Sequence, residues 1–287
     1  MELPPLPLFF LALLEGSLYA SFAFGLTLIF GVLKIINIAH GELMCIGGYI
    51  AYWMFVLYGL DPLLSIPLAF LVVFVLGFVV QNFLIKYVMQ EELRTLLLTY
   101  GISLAFMNIM LIAWKPDYRM ITVKYAIIPV KIFGIEVTLT RLLLLFVALI
   151  QAVLLHIILK YTYFGKAMRG CAQDADAAAL LGINYERIST LTFALGSACA
   201  AVTGVMFALT HYLCPTVGEA LILKGFCVVV LGGVGSIIGS LIGGLAIGIC
   251  ESLAVWYIGA AYKEAIALLI LILALIARAV AERWKVK

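Results

Sequence analysis

Asn37, His40 and Glu42 stand close together in the stretch Lys34-Ile-Ile-Asn-Ile-Ala-His-Gly-Glu42, at the junction of two long apolar runs. Amide and ionisable groups near membrane depth are expensive to bury and tend to face a cavity or a solute pathway. With Tyr49 and Tyr52 on the following run, they are candidates for lining such a pathway; a helix-capping turn at the cytoplasmic surface is the alternative. A second polar concentration spans 160–188 and opens on Lys160, Lys166 and Arg169. Within it Ala175, Ala178, Ala179 and Gly182 fall at i, i+3, i+4 and i+7, which on a helix makes one stripe of small residues. Gln173, Asp174 and Asp176 flank the stripe. A short helix of this kind suits close docking into a groove of another protein. Glu15, Asn108, His156, Lys224 and Glu251 are isolated polar residues inside or near apolar runs. Such residues usually serve packing or snorkel toward an interface, and Lys224 and Glu251 are the hardest of them to accommodate.

Several chemistries find no residues to perform them. No Ser/His/Asp or Cys/His set, HExxH pattern or carboxylate pair points to catalysis. The run Val230-Leu-Gly-Gly-Val-Gly-Ser-Ile-Ile-Gly-Ser240 is too glycine-rich for an unbroken helix, because each glycine costs about 1 kcal/mol against alanine. It lacks the lysine that GxxxxGK[ST] requires, so any ATPase serving this protein is another chain. The six cysteines are scattered without metal-ligand spacing, and the expectation is that this chain binds no metal and no cofactor.

Around these sites the composition is that of a membrane protein. The chain is 66% hydrophobic and 11% charged, with a mean hydropathy of +1.22, against about 25% charged for a soluble domain. Its apolar runs exceed the roughly 17–25 residues of a membrane helix, and no short alternating segments suggest a barrel. Hydropathy predicts spans near 8–33, 42–60, 63–86, 95–114, 141–159, 188–211, a short one near 218–231, then 236–258 and 264–281. The first run, with no basic residues before it, reads as an uncleaved helix. Placing 160–188 in the cytoplasm puts eleven of the eighteen Lys and Arg residues inside, as the positive-inside rule favours. The N-terminus is then outside and the C-terminus inside, which requires an odd number of crossings. The outer loop 115–140 alternates around Gly134 as a hairpin would.

Small residues mark the C-terminal half. Gly196, Ala200, Gly204 and Ala208 recur at i+4 along one predicted helix, and Gly235, Gly239 and Gly243 along another. This spacing lets membrane helices approach backbone to backbone, either for static packing or for packing that slides during transport.

Three stretches in order, Gly31-Val-Leu-Lys-Ile-Ile-Asn-Ile-Ala-His-Gly-Glu42, Arg169–Asn184 and Leu231–Leu245, resemble the signature stretches of the LivH-type permeases, membrane subunits of branched-chain amino acid ABC importers. The resemblance covers nearly the whole chain. It implies one transmembrane permease domain over 1–287, an all-α polytopic bundle of about eight or nine transmembrane helices with a broken or re-entrant segment, in the ABC importer permease fold. It implies a bacterial or archaeal cytoplasmic membrane, a second, LivM-like permease, two LivG/LivF-like ATPases carrying ATP and Mg, a periplasmic binding protein, and no nucleic acid partner. The family's coupling helix carries over onto Ala172 to Gly182, and its Asn-x-x-His-Gly-Glu stretch onto Asn37, His40, Gly41 and Glu42. The competing expectations are a transporter or channel working alone, which calls for ionisable residues paired within the membrane where the sequence shows them unpaired, and a non-transporting membrane scaffold.

Overall fold

The computed structural model describes residues 5–285 except Gln90, Ile127 and Phe133. Its helices follow the nine hydropathy segments to within a few residues. α1 (Leu6–Leu33), α2 (His40–Tyr58), α3 (Pro62–Phe83), α4 (Glu92–Trp114) and α5 (Leu139–Tyr161) come first. Two short helices, α6 (Tyr163–Gln173) and α7 (Ala175–Leu180), precede α8 (Tyr185–Thr210), α9 (Val217–Gly232), α10 (Ile237–Tyr257) and α11 (Lys263–Lys285). Among the described residues, seven helices are long and apolar enough to cross a membrane. α9 is not one of them: its 16 residues reach about 24 Å against a hydrocarbon core of about 30 Å.

α1 and α8 are buried along nearly their whole length, as helices apolar on every side must be. They cross at the centre of the bundle, where Gly25 meets Gly196 backbone to backbone. α10 lies along α1 and α3 lies along α8. Toward the outside α3, α4 and α5 present Leu71, Val75, Ile112, Phe146 and Leu154, a lipid-type surface. Polar side chains fasten the interior: the Ser21 hydroxyl lies 2.7 Å from both Gln151 on α5 and Thr203 on α8. Such bonds between helices hold where the hydrophobic effect does not discriminate one apolar surface from another.

The packing plan repeats in reverse. α2 packs on α3 as α9 packs on α10, while α1 pairs with α8 and α2 with α9. The two halves run oppositely. Leu14, early on α1, packs with Val137 and Leu142 beside the outer loop, whereas it is Ala208, at the far end of α8, that accepts a hydrogen bond from Ile121 of that loop. Inverted halves with interrupted helices are a recurrent transporter architecture.

The expected hairpin forms, with β1 (Pro129–Ile132) antiparallel to β2 (Ile135–Thr138). Lys131 opposes Glu136 at 3.0 Å, and Gly134 takes φ +80° at the turn. The break expected at 230–240 also forms, and it corrects the expected stripe on one helix. Gly235 lies between α9 and α10 at φ +81°, against Gly31. Gly239 and Gly243 are on α10, packed against the backbone of Gly232 and Val228.

Candidate functional site

α1 ends at Lys34, which adopts a left-handed conformation (φ +59°). The chain then runs irregularly over 34–37, turns at 38–39 and re-enters the bundle, so that Ala39 and His40 are buried and α2 starts inside it. His40 at the start of α2 lies beside Phe22, its Nε2 3.2 Å from the Phe22 carbonyl. That is about 16 Å back along α1 from its end at Leu33. Unwound backbone at this depth is tolerable only inside protein or beside water. Part of that need is met by Thr99 of α4, whose hydroxyl donates to the Ile36 carbonyl at 3.0 Å.

The second half repeats the device. After α8 the chain leaves the helix at His211, which is extended, and Leu213 pairs with Arg119 of the outer loop through two backbone bonds of 2.7 and 2.9 Å before a turn at 215–216. α9 then starts deep in the bundle, and Gly218 meets Gly41 backbone to backbone. A Cβ on Gly218 would come within 2.6 Å of the Gly41 carbonyl carbon, so only glycines let the two helix starts touch. Each glycine is followed by a glutamate, Glu42 on α2 and Glu219 on α9.

The four predicted pathway residues separate. Glu42 lines a lateral cleft of about 480 Å³ together with Glu219, Tyr100 and Ser103, and its Oε2 is buried without a hydrogen-bond partner. His40 is enclosed by Gly25 and Phe22. Asn37 is 1% exposed, with neither amide atom bonded. Tyr49 is buried and stacks on Trp114 with ring centroids 4.2 Å apart. Only Glu42 of the four lines this cleft. Glu219 escaped the sequence reading, although the repeated Gly-Glu pair that begins both short-starting helices was visible there.

The isolated charges do not stay isolated. Lys224 lies 3.0 Å from Glu251, whose other oxygen accepts from the Tyr19 hydroxyl at 2.7 Å and sits 3.5 Å from Lys263. Lys263 is 3.6 Å from Glu15, and His211 is 3.4 Å from the same carboxylate. Two carboxylates and two ammonium groups thus balance across α1, α9, α10 and the start of α11. The expectation of unpaired ionisable residues is corrected by tertiary packing that joins residues from 12 positions apart (Glu251 and Lys263) to 248 apart (Glu15 and Lys263).

The loop 160–188 is also not one helix. Asp174 (φ −155°) separates α6 from α7, and its Oδ1 caps α7 by accepting from the amides of Asp176 and Ala177 at 3.0 and 2.9 Å. The small-residue stripe therefore breaks up. Ala178 is 4% exposed and packs into the bundle's own core, Ala172 and Ala175 are half-buried, and Ala179 is exposed. Gly182 lies beyond α7 in the left-handed region (φ +82°), where its amide and that of Ile183 close the helix on Ala179 and Ala178. What projects instead is Leu180 and Leu181, 90% and 83% exposed. Cys171 on α6 is buried, and burial pushes its thiol up, away from the reactive range.

The sequence profile described as the branched-chain amino acid transport system permease component matches residues 8–275. The permease protein LivH of the high-affinity branched-chain amino acid transport system of Escherichia coli strain K12 is 31% identical over 281 residues, covering 91% of this chain and 89% of its own. The corresponding permease protein BraD of Pseudomonas aeruginosa is 31% identical over 277 residues, 92% of this chain and 90% of its own. A probable LivH from Methanocaldococcus jannaschii is 28% identical over 282 residues, 92% and 88% of the two chains. No solved structure matches the chain significantly.

Proposed function

The chain belongs to the family of branched-chain amino acid transport permeases, and on that premise we propose how this permease subunit of an ABC importer carries out import. The solute is a branched-chain amino acid, and it passes along the face formed by α2, α4 and α9, across from a second, LivM-like permease. One observation carries this reading: Glu219 is exposed although it starts a helix deep in the bundle beside Gly41. A carboxylate at that depth is too costly to hold against lipid, which supports a water-filled path or a partner chain on this face.

LivG/LivF-like ATPases carry the ATP and Mg and dock on α6 and α7, and this chain itself binds no cofactor. The gripping surface is Leu180, Leu181 and the exposed Ala179, with Ala178 holding α7 onto the bundle. A push on α7 bears on α8, which lies against it, and Ala178 and Ile188 belong to the same core cluster. The subunit lies in a bacterial or archaeal cytoplasmic membrane with 160–188 inside. The hairpin and the outer loop face the periplasmic binding protein that delivers the solute. The experiment is to purify the native complex and reconstitute it in vesicles. Co-purifying ATPases and leucine uptake that depends on the binding protein are expected, and leucine uptake by this chain alone would reject the reading.

A lone ion-coupled transporter would use paired charges in its path, and the Lys224–Glu251 group supplies such pairs. Their placement argues for a structural part: the group joins the second half of α10, the start of α11 and the capping residue of α8, and its charges cancel.

A further inference from the structure

The crossing of the two Gly-Glu helix starts holds two carboxylates in one cleft, and the charge that would answer them is missing. Among the described residues lining the cleft no side chain is cationic. Lys224, next along α9, is already engaged by Glu251 and Tyr19. Glu42 is 1% exposed, yet its Oε2 has no partner, and a buried carboxylate oxygen left unpaired is costly. Ser103, 3% exposed, and Tyr100 add hydroxyls from α4, while Ile222, Leu223 and Phe226 follow Glu219 along α9 and form an apolar wall. Carboxylates beside an apolar wall fit a solute with a cationic head and a branched aliphatic tail. An acid anion would face two carboxylates, and urea would leave the apolar wall unfilled.

We propose that Glu42 and Glu219, brought together where Gly41 crosses Gly218, hold the ammonium group of the amino acid in transit, with Ile222, Leu223 and Phe226 against its side chain. This rests on the function proposed above and goes further by giving the permease its own recognition of the solute. The inverted repeat explains why there are two carboxylates: each half contributes one Gly-Glu helix start, and both reach the same depth.

The test uses the purified permease–ATPase complex without binding protein, probed by saturation-transfer NMR with leucine, 3-methylbutylamine and 4-methylpentanoate. Leucine and the amine are expected to bind and to displace each other, and the acid to give no signal. Glu219→Gln, at an exposed position that tolerates the change, is expected to weaken leucine binding by about tenfold or more, and Glu219→Asp to restore part of it. Absence of leucine binding to the wild-type complex, equal binding of the acid, unchanged affinity in Glu219→Gln, or displacement of both amines by sodium ions would each overturn the proposal. Leucine uptake by the complete importer is read separately, so normal uptake with a failed NMR result removes the ammonium station and leaves the transport function standing.

Discussion

Lys224 Nζ lies 3.0 Å from Glu251 Oε1, inside the bundle, with the Lys224 side chain 12% and the Glu251 side chain 1% exposed. Glu251 is also approached by Lys263 and by the Tyr19 hydroxyl, so it is the hub, and Lys224 and Lys263 are spokes.

Removing the hub should therefore cost more than removing a spoke. Glu251→Gln strips Lys224 of its carboxylate and is expected to destabilise the protein by about 3 kcal/mol, the scale of a broken buried pair. Lys224→Met leaves Glu251 with Lys263 and should cost clearly less. Thermal melting of the detergent-solubilised protein would show the order, and equal losses would mean that Lys263 does not share the charge.

The glycine contacts make a contrast within one protein. A methyl group on Gly204 would run into the Met44 carbonyl, pushing α8 off α2, whereas one on Gly101 of α4 meets nothing within 4 Å. Gly204→Ala should cost about 1–3 kcal/mol through overpacking. Gly101→Ala should gain about 0.5–1 kcal/mol from helix propensity. Yields and melting temperatures of the two variants in the same detergent decide the matter.

The loop 160–188 yields a division between folding and the proposed docking. Ala178→Leu forces bulk into a core site and should lower the amount of folded permease. Leu180→Asp and Leu181→Asp, at positions exposed on the permease itself, should leave the permease folded and remove the co-purifying ATPases. Retention of the ATPases with both leucines replaced would place the grip elsewhere on α6 or α7.

Two backbone devices shape that loop, and each can be weakened alone. Asp174→Ala removes the cap of α7 at a cost of about 1 kcal/mol. Gly182→Ala places a Cβ at φ +82°, which costs about 1–2 kcal/mol. Hydrogen exchange over 174–184 should quicken in both, with α8 unaffected because Asn184 caps it independently through the Arg187 amide at 2.9 Å.

The sequence by itself determined the nine apolar segments, the hairpin around Gly134, the break at 230–240 and the family. Each of these depends on local composition or on short patterns that bilayer thickness and turn chemistry translate directly into structure. Tertiary structure alone decided the rest. A stripe at i, i+3, i+4 and i+7 assumes an uninterrupted helix, but the Asp174 carboxylate captures two amides and starts a new one, so Ala178 turns inward and Gly182 becomes a helix stop. Lys224 and Glu251 stand 27 positions apart in the chain, and no period links them; they pair because α9 and α10 fold back on each other around Gly232 and Gly239. Glu42 and Glu219 line one cleft for the same kind of reason, since two glycines far apart in the chain, and nothing larger, allow two helix starts to touch deep in the bundle.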